Sequence, residues 1–293
     1  MKKIIEISKS NYVNMFLNNL VVTKNGIKII IPTTEIETVI FENDRAIISI
    51  PLINELIDKG VNIIFCDRNF MPHSLIIPYQ GHYNMKIFQE QITWNDSFKG
   101  KIWTKLVKAK IKNSIKTLIN LNVVDDYNLD KLNTYYQNVK YLDPDNKEAH
   151  VAKLYFKLLF GEKFVRSNED DIKNTFLNYG YAILLSYITR YISSKGYDSR
   201  IGLHHKSYNN NFALSTDLIE PFRCIIDKFV FEFVNQNELL LFQDYKQQLF
   251  DLFEQYIIVN NSKIKISSYI QKFIVAALSG DDLEGYCLDY GTK

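Results

Sequence analysis

The chain has 293 residues, 46% of them hydrophobic, with 35 basic and 33 acidic side chains that leave a formal net charge of +2. That size supplies two ordinary cores without disulfide staples, and Cys66, Cys224 and Cys287 lie far apart without metal-ligand spacing, so they read as reduced thiols. The small net charge excludes any argument for a polyanionic partner from bulk electrostatics, and no apolar stretch approaches the roughly 20 residues of a membrane span, so a soluble cytoplasmic protein with no membrane partner is expected.

From Lys2 to about Tyr79 short apolar runs dominate: Ile4 to Ile7, Leu20 to Thr23, Ile27 to Ile31, Ile36 to Phe41, Val61 to Cys66 and Ser74 to Ile77. These predict strands, with Asn25-Gly26 as a tight hairpin turn. Between them, Pro51 to Gly60 carries Pro at its start, apolar residues at helical spacing and Gly at its end, which predicts one short helix. His73 and His82 stand alone and read as structural. Near residue 84 the period changes, and nearly everything beyond reads as helix. The prediction is an α+β chain with a small β-rich domain over 1–84 and a larger α-helical domain over 85–293.

Within the second domain, Lys101, Lys105, Lys108, Lys112 and Lys116 are spaced 4, 3, 4 and 4, which stacks them on one helical face. No acid stands between Ser97 and Val124, so the stripe is either a solvated face or a contact for DNA phosphates. After a break at Asp125-Asp126 and a helix from about Leu129 to Tyr141, a further helix opens with Asp143 or Asp145 as its cap and closes at Gly161. Glu148, Ala152, Tyr155 and Leu159 share one face of it. Glu148 thus tops an apolar stripe, where an acid needs a partner, although a first-turn glutamate favoured by the helix dipole is the plainer reading of the same position. The stretch that begins at Phe164 then starts a long apolar helix, ending near Lys195-Gly196.

The stretch from Gly202 to Asp227 concentrates polar chemistry. His204 and His205 fall in an Asn-rich loop, with Ser215 or Thr216 as the cap of the helix that follows. On a continuous helix Asp217, Glu220 and Arg223, three apart, would share a face able to hold a cation. A helix start with acids at its positive end is the plainer reading of the same residues.

Arg166, Asn174, Leu-Asn-Tyr-Gly-Tyr-Ala from 177 to 182, the upstream Glu148 and the downstream Gly-Leu-x-His and Asp-Leu-Ile-Glu-Pro-Phe-Arg runs together carry a likeness. Over nearly its whole length the chain resembles the CRISPR-associated integrase-nuclease of spacer acquisition, the Cas-one family. Gln91 to Trp94 and Ile102-Trp103 look most like the compact type II forms. The resemblance implies an amino-terminal β-sandwich that helps form a homodimer and an all-helical catalytic domain. It implies metal ligation by Glu148, His205 and Glu220, with Asp217 in support and His204 as an adjacent loop residue. The chain departs from the family at Ala149, where glycine is common, at Lys153, where arginine is common, and at Cys224, where proline is usual. The implied partners are double-stranded DNA, as incoming spacer and CRISPR repeat, and a small Cas-two subunit. Arg223, Lys206 and the lysine stripe are the candidate DNA contacts.

Two carboxylates and one imidazole without a thiolate form a mainly oxygen site, suited to Mg²⁺ or Mn²⁺. Such a site supports in-line displacement at a phosphodiester, with water or a DNA 3′-hydroxyl as nucleophile. The second route needs no nucleotide hydrolysis, and the chain carries no Gly-x-x-x-x-Gly-Lys-Ser/Thr loop. A stand-alone nuclease on branched DNA and a non-catalytic DNA-clamping scaffold are the other classes the sequence leaves open.

Overall fold

Among the described residues, short apolar runs in the amino-terminal quarter build eight strands and one α-helix. They are β1 (Lys3–Ile7), β2 (Tyr12–Phe16), β3 (Asn19–Lys24), β4 (Ile27–Pro32), β5 (Ile36–Phe41), β6 (Ile47–Ile48), α1 (Ile50–Asp58), β7 (Asn62–Cys66) and β8 (Pro72–Ile76). One sheet has the order β1-β5-β7-β8, parallel except for β8; the other has the order β4-β3-β2-β6, antiparallel except for β6. Ile7, Ile36, Val39, Phe41 and Ile63 from the first sheet meet Val13, Leu20 and Val22 from the second and Leu52 and Leu56 from α1 in a single core. The computed structural model describes residues 3–8, 12–24, 27–68, 72–76, 85–204, 210–259 and 262–288.

Two of these strands, β2 and β6, are absent from the sequence reading. Asn14 and the polar residues around Tyr12–Phe16 interrupt the apolar run, so β2 becomes visible only through its pairing with β3, Val13 opposite Val22 and Met15 opposite Leu20. Leu17 and Asn18, both at positive φ, turn the chain between them. The predicted Asn25-Gly26 turn and His82 lie outside the described residues.

The chain divides into two units, Met1–Tyr83 with Ser193–Lys195, and Asn84–Ile192 with Gly196–Lys293. The second comprises α2 (Met85–Ile92), α3 (Asp96–Asn120), α4 (Asp126–Gln137), α5 (Lys147–Phe160), α6 (Ile172–Ser194), α7 (Ala213–Leu218), a 3₁₀ turn over Glu220–Phe222, α8 (Arg223–Gln236), α9 (Phe242–Leu252) and α10 (Ile266–Ser279). It also holds one unforeseen hairpin, β9 (Tyr256–Val259) paired with β10 (Ser262–Lys265). Among the described residues, no helix is long and apolar enough to cross a membrane.

The centre of the second unit is α3. Asn95 caps its start by accepting from the Phe98 amide at 2.8 Å. Residues on most of its circumference are buried, from Ile102, Trp103 and Leu106 through Asn113, Ser114 and Leu118, and it packs on α4, α5, α7, α8, α10 and the 3₁₀ turn. Its lysine stripe therefore is not one open face. Lys105 donates to the carbonyls of Gly280 and Asp281 at 2.7 and 2.9 Å, closing the carboxyl end of α10. Lys101 and Lys116 are exposed, whereas Lys108 and Lys112 are half-buried.

Leu56 is fully buried between α1 and the two sheets. Replacing it with alanine should destabilise the amino-terminal unit by about 2–5 kcal/mol in urea titration, and a loss well below that range would show that α1 does not pack as described.

Candidate active site

The charged centre of the helical unit is Lys110. Its Nζ donates both to Glu148 Oε1 and to Glu220 Oε2, so one ammonium joins a helix start and a turn 72 residues apart in sequence. Burial works against this ammonium, but the two carboxylates outweigh it and hold its pKa above the ordinary lysine value. Lys110 is not among the residues expected from the sequence, because it lies beside the lysine stripe rather than in it. The available signal was its spacing: Trp103, Val107, Lys110 and Ser114 fall 4, 3 and 4 apart, and the other three are buried. A lysine on a buried stripe requires a partner.

Glu148 sits in the first turn of α5. The Asp143 carboxylate accepts from the Lys147 and Glu148 amides, each at 2.9 Å, and Asn146 caps the Ala149 amide. Asp145, the other predicted cap, pairs instead with Lys140 at 2.9 Å. His150 points elsewhere, stacked on Tyr135.

Glu220 is positioned by a break in the helix. Asp217, Glu220 and Arg223 do not lie on one helical face: Pro221 has no N–H to continue the ladder, and the chain passes from α7 through the 3₁₀ turn into α8. Asn113 of α3 donates to the Pro221 carbonyl at 2.8 Å and fixes that turn from below. Arg223 Nε donates to Glu220 Oε1 at 2.9 Å, and its guanidinium lies 4.6 Å from the Tyr181 ring centroid. Burial raises the pKa of Glu220, but Lys110 and Arg223 more than offset this and leave it below the ordinary glutamate value. Arg223, a predicted DNA contact, thus holds a carboxylate in place. Ser215 and Thr216 lie inside α7 rather than capping it; Ser215 is bonded to Thr189.

Asp217 faces the preceding loop. Its Oδ2 accepts from the amides of Leu203 at 2.6 Å and His204 at 3.0 Å. Gly202 is required by this approach, since a Cβ there would fall 2.9 Å from Ala213 Cβ and 3.0 Å from Asp217 Oδ2. Gln91, fully buried, grips the same loop by donating to the Asp198 and Ile201 carbonyls and accepting from the Asp198 amide. The His204 ring stacks on Trp103 at 4.3 Å. His205 and Lys206 lie outside the described residues.

Lys110, Glu148, Glu220 and Arg223 border a cleft of about 50 Å³, enough for a cation with a few waters. Asp227, which is not among the residues expected from the sequence, lines it too. A single acid in the apolar run Cys224 to Val230 was the available signal. Burial pushes the Asp227 carboxyl up to about 6, although the Tyr181 hydroxyl bonds to it and Arg223 and Arg166 lie near. Arg166 is held by Asn174 and Asn178 and faces the Tyr181 ring at 5.4 Å. Among the described residues no three His, Cys, Asp or Glu side chains form a metal cluster. Glu148 and Glu220 nevertheless present two oxygens to a single cation, which is the donor chemistry a hard divalent ion takes.

The profile of the family described as CRISPR associated protein Cas1 matches residues 7–255. The chain belongs to the Cas1 family. It is 31% identical over 264 residues to the CRISPR-associated endonuclease Cas1 of Neisseria meningitidis serogroup C (strain 8013), spanning 89% of this chain and 86% of that protein. It is 26% identical over 307 residues to a CRISPR-associated endonuclease Cas1 of Francisella tularensis subsp. novicida (strain U112), spanning 96% of each. Its fold is similar to that of a casposase bound to integration product, with a TM-score of 0.79, 19% identity and coverage of 96% of this chain and 92% of that one. A Cas1 protein from Thermotoga maritima gives a TM-score of 0.79 at 16% identity, covering 99% and 100%. A chain of a Cas6-RT-Cas1–Cas2 complex gives 0.74 at 16% identity, covering all of this chain and 36% of that one. The sheet-then-helix order is thus that of Cas1 structures.

Two outcomes test this geometry. Asp217→Ala should speed hydrogen exchange at the Leu203 and His204 amides about tenfold or more, with Asp217→Asn, which keeps an acceptor, affected less; unchanged exchange would detach Asp217 from the loop. Asp227 titrates higher folded than its ordinary 3.8, so its contribution to stability is fully present below about pH 4 and is lost as pH rises through about 6. Asp227→Asn removes that loss, and its stability relative to the parent should rise by on the order of 3 kcal/mol between pH 4 and pH 7. A pH-independent difference in urea titrations would place the Asp227 carboxyl in the ordinary range.

Proposed function

We propose that this chain is a metal-dependent DNA integrase of CRISPR adaptation, joining a short DNA 3′-hydroxyl end to a repeat phosphodiester. The observation that carries the reading is the convergence of Glu148 and Glu220 on one cation at the edge of a cleft. The relatives named as CRISPR-associated endonucleases and the likeness to a casposase bound to integration product support it.

In this reading Glu148, Glu220 and His205 hold Mg²⁺ or Mn²⁺, with Asp217 in support. The ion, when bound, supplies Lewis-acid polarisation of a phosphodiester oxygen and stabilises charge on the leaving 3′ oxygen. The chain's own residues set the geometry. Arg223 and Asn113 orient Glu220, Asp143 and Asn146 anchor the helix start that carries Glu148, and Asp217 and Gln91 secure the backbone up to His204, next to His205. Lys101, Lys108 and Lys112, with Lys206, are the lysines assigned to DNA phosphates, a role that positions a duplex without reading sequence.

The partners follow from the same relatives. A Cas1–Cas2 complex and a Cas1–DNA complex are among the structural neighbours, so double-stranded DNA and a Cas2-type subunit are the proposed partners. The edge strand β4 leaves Ile27, Ile29 and Ile30 exposed, an apolar strip of the kind a second copy covers, which supports a homodimer.

Glu220→Ala should lower strand joining with Mn²⁺ about a hundredfold or more. Undiminished joining would remove Glu220 from the site. The name endonuclease carried by the relatives favours hydrolysis as the second reading; cleavage of branched DNA that is indifferent to a free 3′-hydroxyl, with no joined product, would select it.

A further inference from the structure

The metal reading leaves Lys110 in an awkward place. Its ammonium bonds to the same two carboxylates, Glu148 and Glu220, that would bind a divalent ion. The other oxygen of Glu220 already accepts from Arg223. Two carboxylates therefore face two cations, and the set is neutral before any metal arrives. A divalent ion added with both side chains in place would bring three cationic centres within a few ångströms, and repulsion at that range is strong in a half-buried cleft.

The two resident cations differ in freedom. Arg223 is fixed by its stacking on Tyr181 and its bond to Glu220 in a planar geometry. Lys110 carries a compact charge on a flexible stem, its side chain is 19% exposed, and it borders the cleft. We propose that Lys110 is a resident counter-ion that the divalent metal must displace, so that loading the cation site releases an ammonium into the cleft where a DNA phosphate enters.

This inference rests on the integrase reading and adds a coupling to it. Metal brings positive charge to a neutral set, and the phosphodiester brings the compensating negative charge, with the freed ammonium able to bond a non-bridging oxygen. Each ligand relieves the imbalance created by the other, and the two therefore bind cooperatively. Lys110 acts here as a positioning residue for metal and phosphate, and it also explains how two facing carboxylates remain together in the metal-free protein.

The test is calorimetric titration of Mn²⁺ into the full chain and its Lys110→Met variant, with and without a short duplex. Without DNA, the variant should bind Mn²⁺ about tenfold more tightly or better, because a unit positive charge has left the site. The tightening of Mn²⁺ binding that DNA produces in the parent should shrink in the variant. Equal affinities in the two proteins would overturn the displacement while leaving the metal reading intact; absence of Mn²⁺ binding by either protein would overturn the metal reading and this inference with it. Since the Met variant loses the charge between two carboxylates, a second measurement uses the parent alone. Acylation of Lys110 by a water-soluble active ester, followed by mass spectrometry, should be slow without Mn²⁺ and several-fold faster with it, and equal rates would overturn the proposal.

Discussion

The helical unit depends on how it accommodates negative charge beside its core. Glu148 and Glu220 stand on elements packed against α3, with side chains only 24% and 9% exposed, and Lys110 of α3 is the cation that makes this arrangement tolerable. Removing one partner from such a set strands the others in a poor solvent, at a cost of about 3–5 kcal/mol. α3 supplies the remaining restraint one turn further on, where Asn113 grips the Pro221 carbonyl. One helix therefore supplies both the charge and the register of the site. That explains why it is buried on most of its circumference and why its own amphipathic pattern is weak.

A second layer stiffens the first. The guanidinium groups of Arg166 and Arg223 both lie over the Tyr181 ring, whose hydroxyl donates to Asp227, so the aromatic ring, two cations and a buried acid form one connected group. Arg223 passes that order on to Glu220. The two carboxylates thus stand on packed elements with constrained rotamers, the kind of rigidity that the proposed chemistry would require. Residues 198–204 are loop, and buried polar groups tie them down: Gln91, Asp217 and Ser199, whose hydroxyl donates to the Asn211 carbonyl. Asp217 is then a builder of the site whose carboxylate faces backbone amides.

The amino-terminal unit was the more legible half in outline. Strand runs, the Pro-to-Gly helix and the change of period toward 3.6 all express local rules of side-chain direction, and those rules survive folding unchanged. β2 and β6 escaped because they are strands only by virtue of their neighbours. The β9–β10 hairpin escaped for a similar reason, being four residues a side amid strong helical patterns. Asp217, Glu220 and Arg223 share the spacing of one helical face, yet Pro221 breaks the ladder and sends Asp217 to a loop while Glu220 turns to α3.

The order of sheet and helices, the helix carrying Glu148 and the concentration of polar residues between Gly202 and Asp227 are legible in the sequence alone. These follow from periodicity and caps, which can be read within a few turns of chain. Only the tertiary structure decided which partner Glu148 takes. Lys110 lies 38 residues from Glu148 and 110 from Glu220, and its hydrogen bonds to both arise from packing that no local pattern encodes. The lysine stripe shows the same limit: spacing put Lys105 on a face, but the end of α10 gave its ammonium two carbonyls, because a buried helix terminus must find donors wherever the fold brings them.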